Sequence, residues 1–159
     1  MFLRIMLPVL LLLSACSSTP QPPPALPPAS KINAQMNNLA IYAMSLYDTP
    51  YQYGSKSRAN GFDCSSFVQF VYENAVGIQL PRTSSEMSRM GMVLESHQLK
   101  PGDLVFFNTT HIANSHVGIY IGENRFLHAP STGKAITLTR LNDKYWRDRY
   151  NGARRIKDN

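Results

Sequence analysis

The sequence predicts an α+β domain with helices first and an antiparallel sheet after them. Two observations carry this: in the first half apolar residues recur at three- and four-residue spacing, and after Pro101-Gly102 they fall in short β-branched or aromatic runs between turn residues. Ile32, Met36, Leu39, Ala40, Ala43 and Leu46 share one helical face before the break at Asp48-Thr49-Pro50. From Cys64 the stripe Phe67, Val68, Val71, Tyr72, Ala75 predicts a second helix, with Asp63 as N-cap and Gly77 as stop. Thr83-Ser84-Ser85-Glu86 has the form of a capping box and opens a short helix running to Gly91. Strands are expected over Asp103 to Phe107, His116 to Ile121, Arg125 to Ala129 and Ala135 to Thr139.

The N-terminus reads as export machinery. Arg4 precedes an apolar run from Ile5 to Leu13, interrupted by Pro8, and small residues close it. The run is too short to span a bilayer, which needs about 20 apolar residues. Leu13-Ser14-Ala15-Cys16 resembles the bacterial lipobox, which implies cleavage after residue 15 and diacylation of Cys16. Ser17 stands where such lipoproteins carry an inner-membrane retention aspartate, so the resemblance points to the outer membrane facing the periplasm. Residues 17–30 hold six prolines in fourteen positions and cannot pack a core. At about 3.1 Å per residue they form a polyproline spacer on the order of 40 Å. The expected organisation is a signal at 1–15, a lipidated cysteine and linker at 16–30, and one globular domain at 31–159.

The net charge is +6, and basic residues gather between Arg140 and Lys157. A basic face suits an anionic polymer or membrane; export argues against nucleic acid as a partner. With Cys16 lipidated, Cys64 has no disulfide partner, and a lone cysteine with histidines elsewhere in the chain is a nucleophile candidate. At the first turn of a helix its thiol faces the positive end of the macrodipole, which favours the thiolate. Asp63, Ser65 and Ser66 surround it with polar groups, unlike an inert core cysteine. His97 and His111 fall in expected loops and read as surface residues.

Five segments carry a resemblance: Pro50-Tyr51-Gln52-Tyr53-Gly54, Asp63-Cys64-Ser65, Leu99 to Phe107, Ser115 to Gly122, and His128. In this order they resemble the NlpC-type cell-wall cysteine peptidases, most of all the Spr-like lipoprotein murein endopeptidases. The resemblance covers Leu39 to Arg155. It implies a papain-like core and hydrolysis of peptidoglycan stem peptides or crosslinks by a monomeric enzyme without cofactor or metal. Cys64 would be the nucleophile, His116 the general base and His128 the polar third member. Tyr51, Asp63 and Ser65 would line the substrate and oxyanion site. Ser55 and Ser66 replace glycines usual in the family, and Ser66 adds a side chain close to where substrate is expected to lie, which bears on subsite shape more than on the chemistry.

Strand parity offers a separate check on the histidines. With Gly122, Glu123 and Asn124 as a three-residue loop, Gly118 pairs with His128 and both histidines share a face; a two-residue loop would separate them. Other chemistries remain open. The same three side chains could ligate a catalytic zinc, although ligand pairs are usually closer in sequence. A non-catalytic wall-binding module would not need all three, and an acyl or amide transferase would share the first half-reaction. The scissile bond is either the D-glutamate–diaminopimelate link or the D-alanine–diaminopimelate crosslink.

Overall fold

A computed structural model describes residues 28–157, with side chains from Ala34 onward. The expected signal and the lipidation of Cys16 lie outside the described residues. Helix α1 spans Pro28–Met44. It therefore begins three residues inside the stretch expected to be linker, with a proline at its first position, where the missing N–H costs nothing. Met36, Leu39, Ala40, Ala43 and Leu46 are buried along one face, as their spacing predicts.

A two-stranded ribbon, β1 (Lys56–Ser57) and β2 (Gly61–Phe62), leads into α2 (Cys64–Val76). The α2 termini follow the predicted chemistry. Asp63 accepts the Ser66 N–H at its start, and Gly77, in the left-handed region at φ 73°, closes it onto Glu73 and Tyr72 carbonyls. Helix α3 (Ser84–Met87) has the predicted box, Thr83 and Glu86 capping each other's backbone N–H. It stops at Ser88, short of Gly91.

The sheet holds β3 (Met92–Leu94), β4 (Leu104–Phe107), β5 (His116–Gly122), β6 (Arg125–His128), β7 (Thr137–Arg140) and β8 (Tyr150–Arg155). Its order is β3-β8-β4-β5-β6-β7, antiparallel throughout. A short helix, α4 (Lys144–Arg147), precedes β8. One face of the sheet packs Leu104, Phe106, Val117, Ile119 and Leu127 on α1 and α2; the other buries Val105, Phe107, Phe126 and Ala153. The α+β expectation holds.

Strand β8 changes the reading of the basic C-terminus. It lies inside the sheet, between β3 and β4. Arg155 forms a bidentate pair with the fully buried Asp103, through Nε at 2.8 Å and Nη2 at 2.6 Å, and also donates to the Gln98 carbonyl. Asp103 also accepts the Lys100 N–H at 2.7 Å, so both carboxylate oxygens are satisfied. Lys144 and Arg147 bond Asp148, and Arg149 lies over the Tyr145 ring. Much of the expected basic face is thus internally paired.

The hairpin between β5 and β6 overturns the loop prediction while preserving its consequence. The loop is two residues, Glu123 and Asn124, both at positive φ (51° and 58°), the geometry of a tight hairpin turn. Gly122 pairs with Arg125, but Ile119 pairs with Leu127, so the register slips by one residue between Tyr120 and Gly122. That bulge restores the parity the shorter loop would have lost.

Candidate active site

Cys64 sits at the first turn of α2, against β5. The N–H groups of Val117 and Ser65 lie near enough to its sulfur to favour the charged form, which places the thiol by the residue next to His116. The preceding loop is set by backbone bonds: Phe62 donates to the Pro50 carbonyl, Gln52 to Phe62 and Tyr51 to Lys134. Gly61 makes this possible. At φ +94° it lies so close to Pro50 that a Cβ would stand 2.2 Å from the carbonyl oxygen. Tyr51 is thereby held beside Cys64, half-buried; burial, together with the Cys64 and Asp63 charges, raises its phenol, which stays protonated and able to donate.

Asp63 joins three segments. Its Oδ1 accepts the Ser66 N–H at 2.8 Å and the Ser65 hydroxyl at 3.1 Å; its Oδ2 accepts the Gly54 N–H at 3.1 Å and pairs with Arg82. Arg82 also donates to Ser65 Oγ at 2.6 Å. Burial opposes ionisation of Asp63, but Arg82 and the two backbone donors outweigh it and hold the carboxyl below its usual range. The side chains of Asp63 and Ser65 are therefore engaged in building the α2 N-terminus. Ser66 is buried, and its Oγ accepts the Asp63 N–H at 2.9 Å. It completes a capping box, and its hydroxyl is turned into that box.

On the sheet side, His116 Nε2 and His128 Nδ1 are 2.8 Å apart, the rings perpendicular at 88°. Gly118 makes room for this approach: a Cβ there would lie 2.6 Å from the Phe126 ring and 3.3 Å from His128 Cβ. His128 Nε2 reaches Thr139 Oγ1 at 3.0 Å. Trp146, from α4, packs its ring 4.6 Å from His128 and 5.3 Å from His116, centroid to centroid. Both histidines are buried, at 4% and 1% exposure. Burial lowers His116 to about 4; burial, His116 and Lys134 push His128 well below the ordinary imidazole value.

Cys64 departs from expectation in one respect. Burial pushes its thiol up, and the Asp63 charge adds to this, against the opposing pull of the Val117 and Ser65 N–H groups and Arg82.

The structure gathers Tyr51, Asp63, Cys64 and Ser65 on one side and aligns His116 with His128 on the other. His97 and His111 are exposed, as expected. Sequence reasoning missed Arg82, Thr139 and Trp146. The single tryptophan of the chain stands close to the basic cluster, and Arg82 directly precedes the capping box. Thr139 becomes visible only once the β6–β7 register, His128 opposite Thr137, is known.

The model of the NlpC/P60 family matches residues 48–155. The chain is 43% identical over 110 residues to the murein DD-endopeptidase MepH of Escherichia coli K12, covering 67% of this chain and 41% of MepH. It is 39% identical over 147 residues to the probable endopeptidase NlpC of the same organism, covering 92% of this chain and 94% of NlpC. Among solved structures, a lipoprotein-like NLP/P60 protein of Staphylococcus aureus superposes with a TM-score of 0.71 at 34% identity, covering 80% of this chain and 43% of that one. The chain thus spans less than half of MepH, and nearly all of NlpC.

Proposed function

The chain belongs to the NlpC/P60 family, and on that premise we propose that it is a murein endopeptidase working through a thiol acyl-enzyme. The observation that carries this is the hydrogen-bonded line from His116 to His128, buried and neutral, on the strand whose Val117 N–H lies by Cys64. His116 Nε2 is occupied by His128, so Nδ1 is the nitrogen free for the thiol. It takes the Cys64 proton as sulfur attacks the scissile carbonyl. The oxyanion is stabilised by the Cys64 backbone N–H at the start of α2, with the Tyr51 hydroxyl as a second donor. The tetrahedral adduct collapses, His116 passes its proton to the leaving amine, and water, deprotonated by the same nitrogen, releases the acyl group from Cys64. No step calls for a cofactor or metal.

The substrate reading rests on the relatives. MepH is a murein DD-endopeptidase, which favours the D-alanine–diaminopimelate crosslink over the D-glutamate–diaminopimelate link. Residues 1–15 then serve as a signal, Cys16 carries the lipid, and the linker suspends a monomeric peptidase domain from the outer membrane toward the wall. The Leu13-Ser14-Ala15-Cys16 sequence at the end of the apolar run supports this placement.

Defined crosslinked muropeptides, incubated with wild type and Cys64→Ser and weighed by mass spectrometry, test the proposal. Wild type is expected to convert dimers to monomers, and Cys64→Ser to convert none. Dimers trimmed between D-glutamate and diaminopimelate would move the activity to the other bond. Equal hydrolysis by both proteins would overturn the thiol mechanism.

A further inference from the structure

We propose that Thr139 is a positioning residue of the site, the hydroxyl that receives the far hydrogen of His128 when His116 becomes charged; this rests on the thiol-hydrolase reading. Each neutral imidazole carries one hydrogen, and only one can lie between His116 Nε2 and His128 Nδ1 at 2.8 Å. For His116 Nδ1 to accept the thiol proton, the shared hydrogen must belong to His116 Nε2. His128 then accepts at Nδ1 and carries its own hydrogen at Nε2, aimed at Thr139 Oγ1 3.0 Å away.

The reverse arrangement also satisfies the resting pair. The Thr139 hydroxyl rotates and donates to His128 Nε2, His128 donates to His116, and His116 keeps its hydrogen on Nδ1, where it cannot take one from sulfur. A hydroxyl serves both arrangements because it donates and accepts. Once the S–H bond breaks and the proton sits on Nδ1, both His116 nitrogens carry hydrogen, and only the forward arrangement remains. Thr139 is then required as an acceptor, and it bears no charge that would hold the proton on the histidines. Other groups around the pair leave this role to Thr139. Trp146 and Phe126 present rings to His128. The charges acting on His128 are those of His116 and Lys134, both of which disfavour protonation, and burial alone acts on His116.

The test compares wild type, Thr139→Val and Thr139→Ser by steady-state kinetics on crosslinked muropeptides and by tryptophan fluorescence against pH. Trp146 is the sole tryptophan and touches both rings, so quenching by a protonated imidazole reports their charge without reference to activity. Thr139 is half-buried on a strand and valine has its shape, so the fold should survive; Thr139→Ala is the second variant if it does not. The expectation is a kcat about tenfold lower in Thr139→Val with KM unchanged, a size usual for groups that orient a reacting ligand. The fluorescence midpoint, expected at about 4 in wild type because burial lowers His116, should fall by about one unit, the pKa equivalent of that tenfold change. Thr139→Ser should restore both. An unshifted midpoint with undiminished kcat, a loss confined to KM, or a serine variant as poor as valine would overturn the proposal. An inactive wild type would instead end the hydrolase reading, leaving Thr139 to be judged on the midpoint.

Discussion

The two walls of the site are built on opposite electrostatic plans. On the α2 side, Asp63 is ionised and saturated, bonded to the Ser66 and Gly54 N–H groups, the Ser65 hydroxyl and Arg82. On the sheet side, His116 and His128 meet each other, a threonine and aromatic rings, and burial holds both neutral. The first wall fixes geometry: a charge that stays put makes strong, directional bonds and locks the helix terminus where Cys64 begins. In the proposed reaction the second moves a proton, and a carboxylate partner would raise the basicity of the pair and retain the proton it must release. Charge is used where nothing should move, and avoided where the proton does.

Breaking the sheet wall should give the largest effect. His116→Gln removes the proton carrier and should lower the rate of crosslink cleavage by about 10²–10⁴-fold, the usual contribution of a general acid–base group. His128→Gln retains a hydrogen-bond acceptor and should leave clearly measurable activity. Equal rates from the two variants would mean that the base has been misassigned.

Breaking the α2 wall should appear first in stability. Asp63→Asn keeps a capping side chain but loses the charged pair with Arg82, which is part-exposed, so urea denaturation should show a loss of about 1–2 kcal/mol. Activity should fall with it, because the Cys64 backbone is tied to that cap. A stable but inactive Asp63→Asn would give Asp63 a direct role with substrate.

The same contrast predicts how stability responds to pH. The folded values of both histidines lie below the unfolded value near 6.5, so the unfolded chain binds protons first. Their contribution is full above about 6.5 and is lost as pH falls toward about 4, the folded value of His116. Asp63, also lowered in the folded state, loses its contribution only below the ordinary carboxyl range near 4. Thermal midpoints should therefore decline in two stages, and replacing His128 by Gln should weaken the upper one. A single decline confined to below pH 4 would contradict the neutral wall.

The smallest catalytic effect belongs to the anchor. Cys16→Ala should leave turnover of soluble muropeptides unchanged while abolishing acylation of the protein, read by mass spectrometry of the membrane fraction. Acyl-free wild-type protein in the soluble periplasm would rule the tether out.

The α2 helix, its caps and the shared face of the histidines were legible because each depends on local chemistry: a carboxylate before a helix, a glycine after it, and a period of two along a strand. The loop between β5 and β6 was misjudged by one residue, and a bulge at the same place cancelled the error. Strand β8 escaped detection because Tyr150-Asn151-Gly152-Ala153-Arg154-Arg155 shows little apolar alternation. Only Ala153 is fully buried there, and Arg155 is held by the buried Asp103, a partner distant in sequence. Thr139 and Arg82 escaped for the same reason, since their partners are set by register and packing rather than spacing. At Cys64 the helix position is visible in sequence, whereas the burial that pushes the thiol up is not.

Alkylation of Cys64 with iodoacetamide across pH, with murein hydrolysis followed in the same samples, tests the nucleophile and the neutral imidazole together. Addition at Cys64, located by peptide mass, should abolish hydrolysis in proportion to its extent. Its rate should keep climbing through and beyond the ordinary thiol range near 8.5, as for a thiol raised by burial beside a neutral imidazole. Hydrolysis that survives complete alkylation would contradict the nucleophile, and a rate already level below pH 7 would contradict the neutral resting pair.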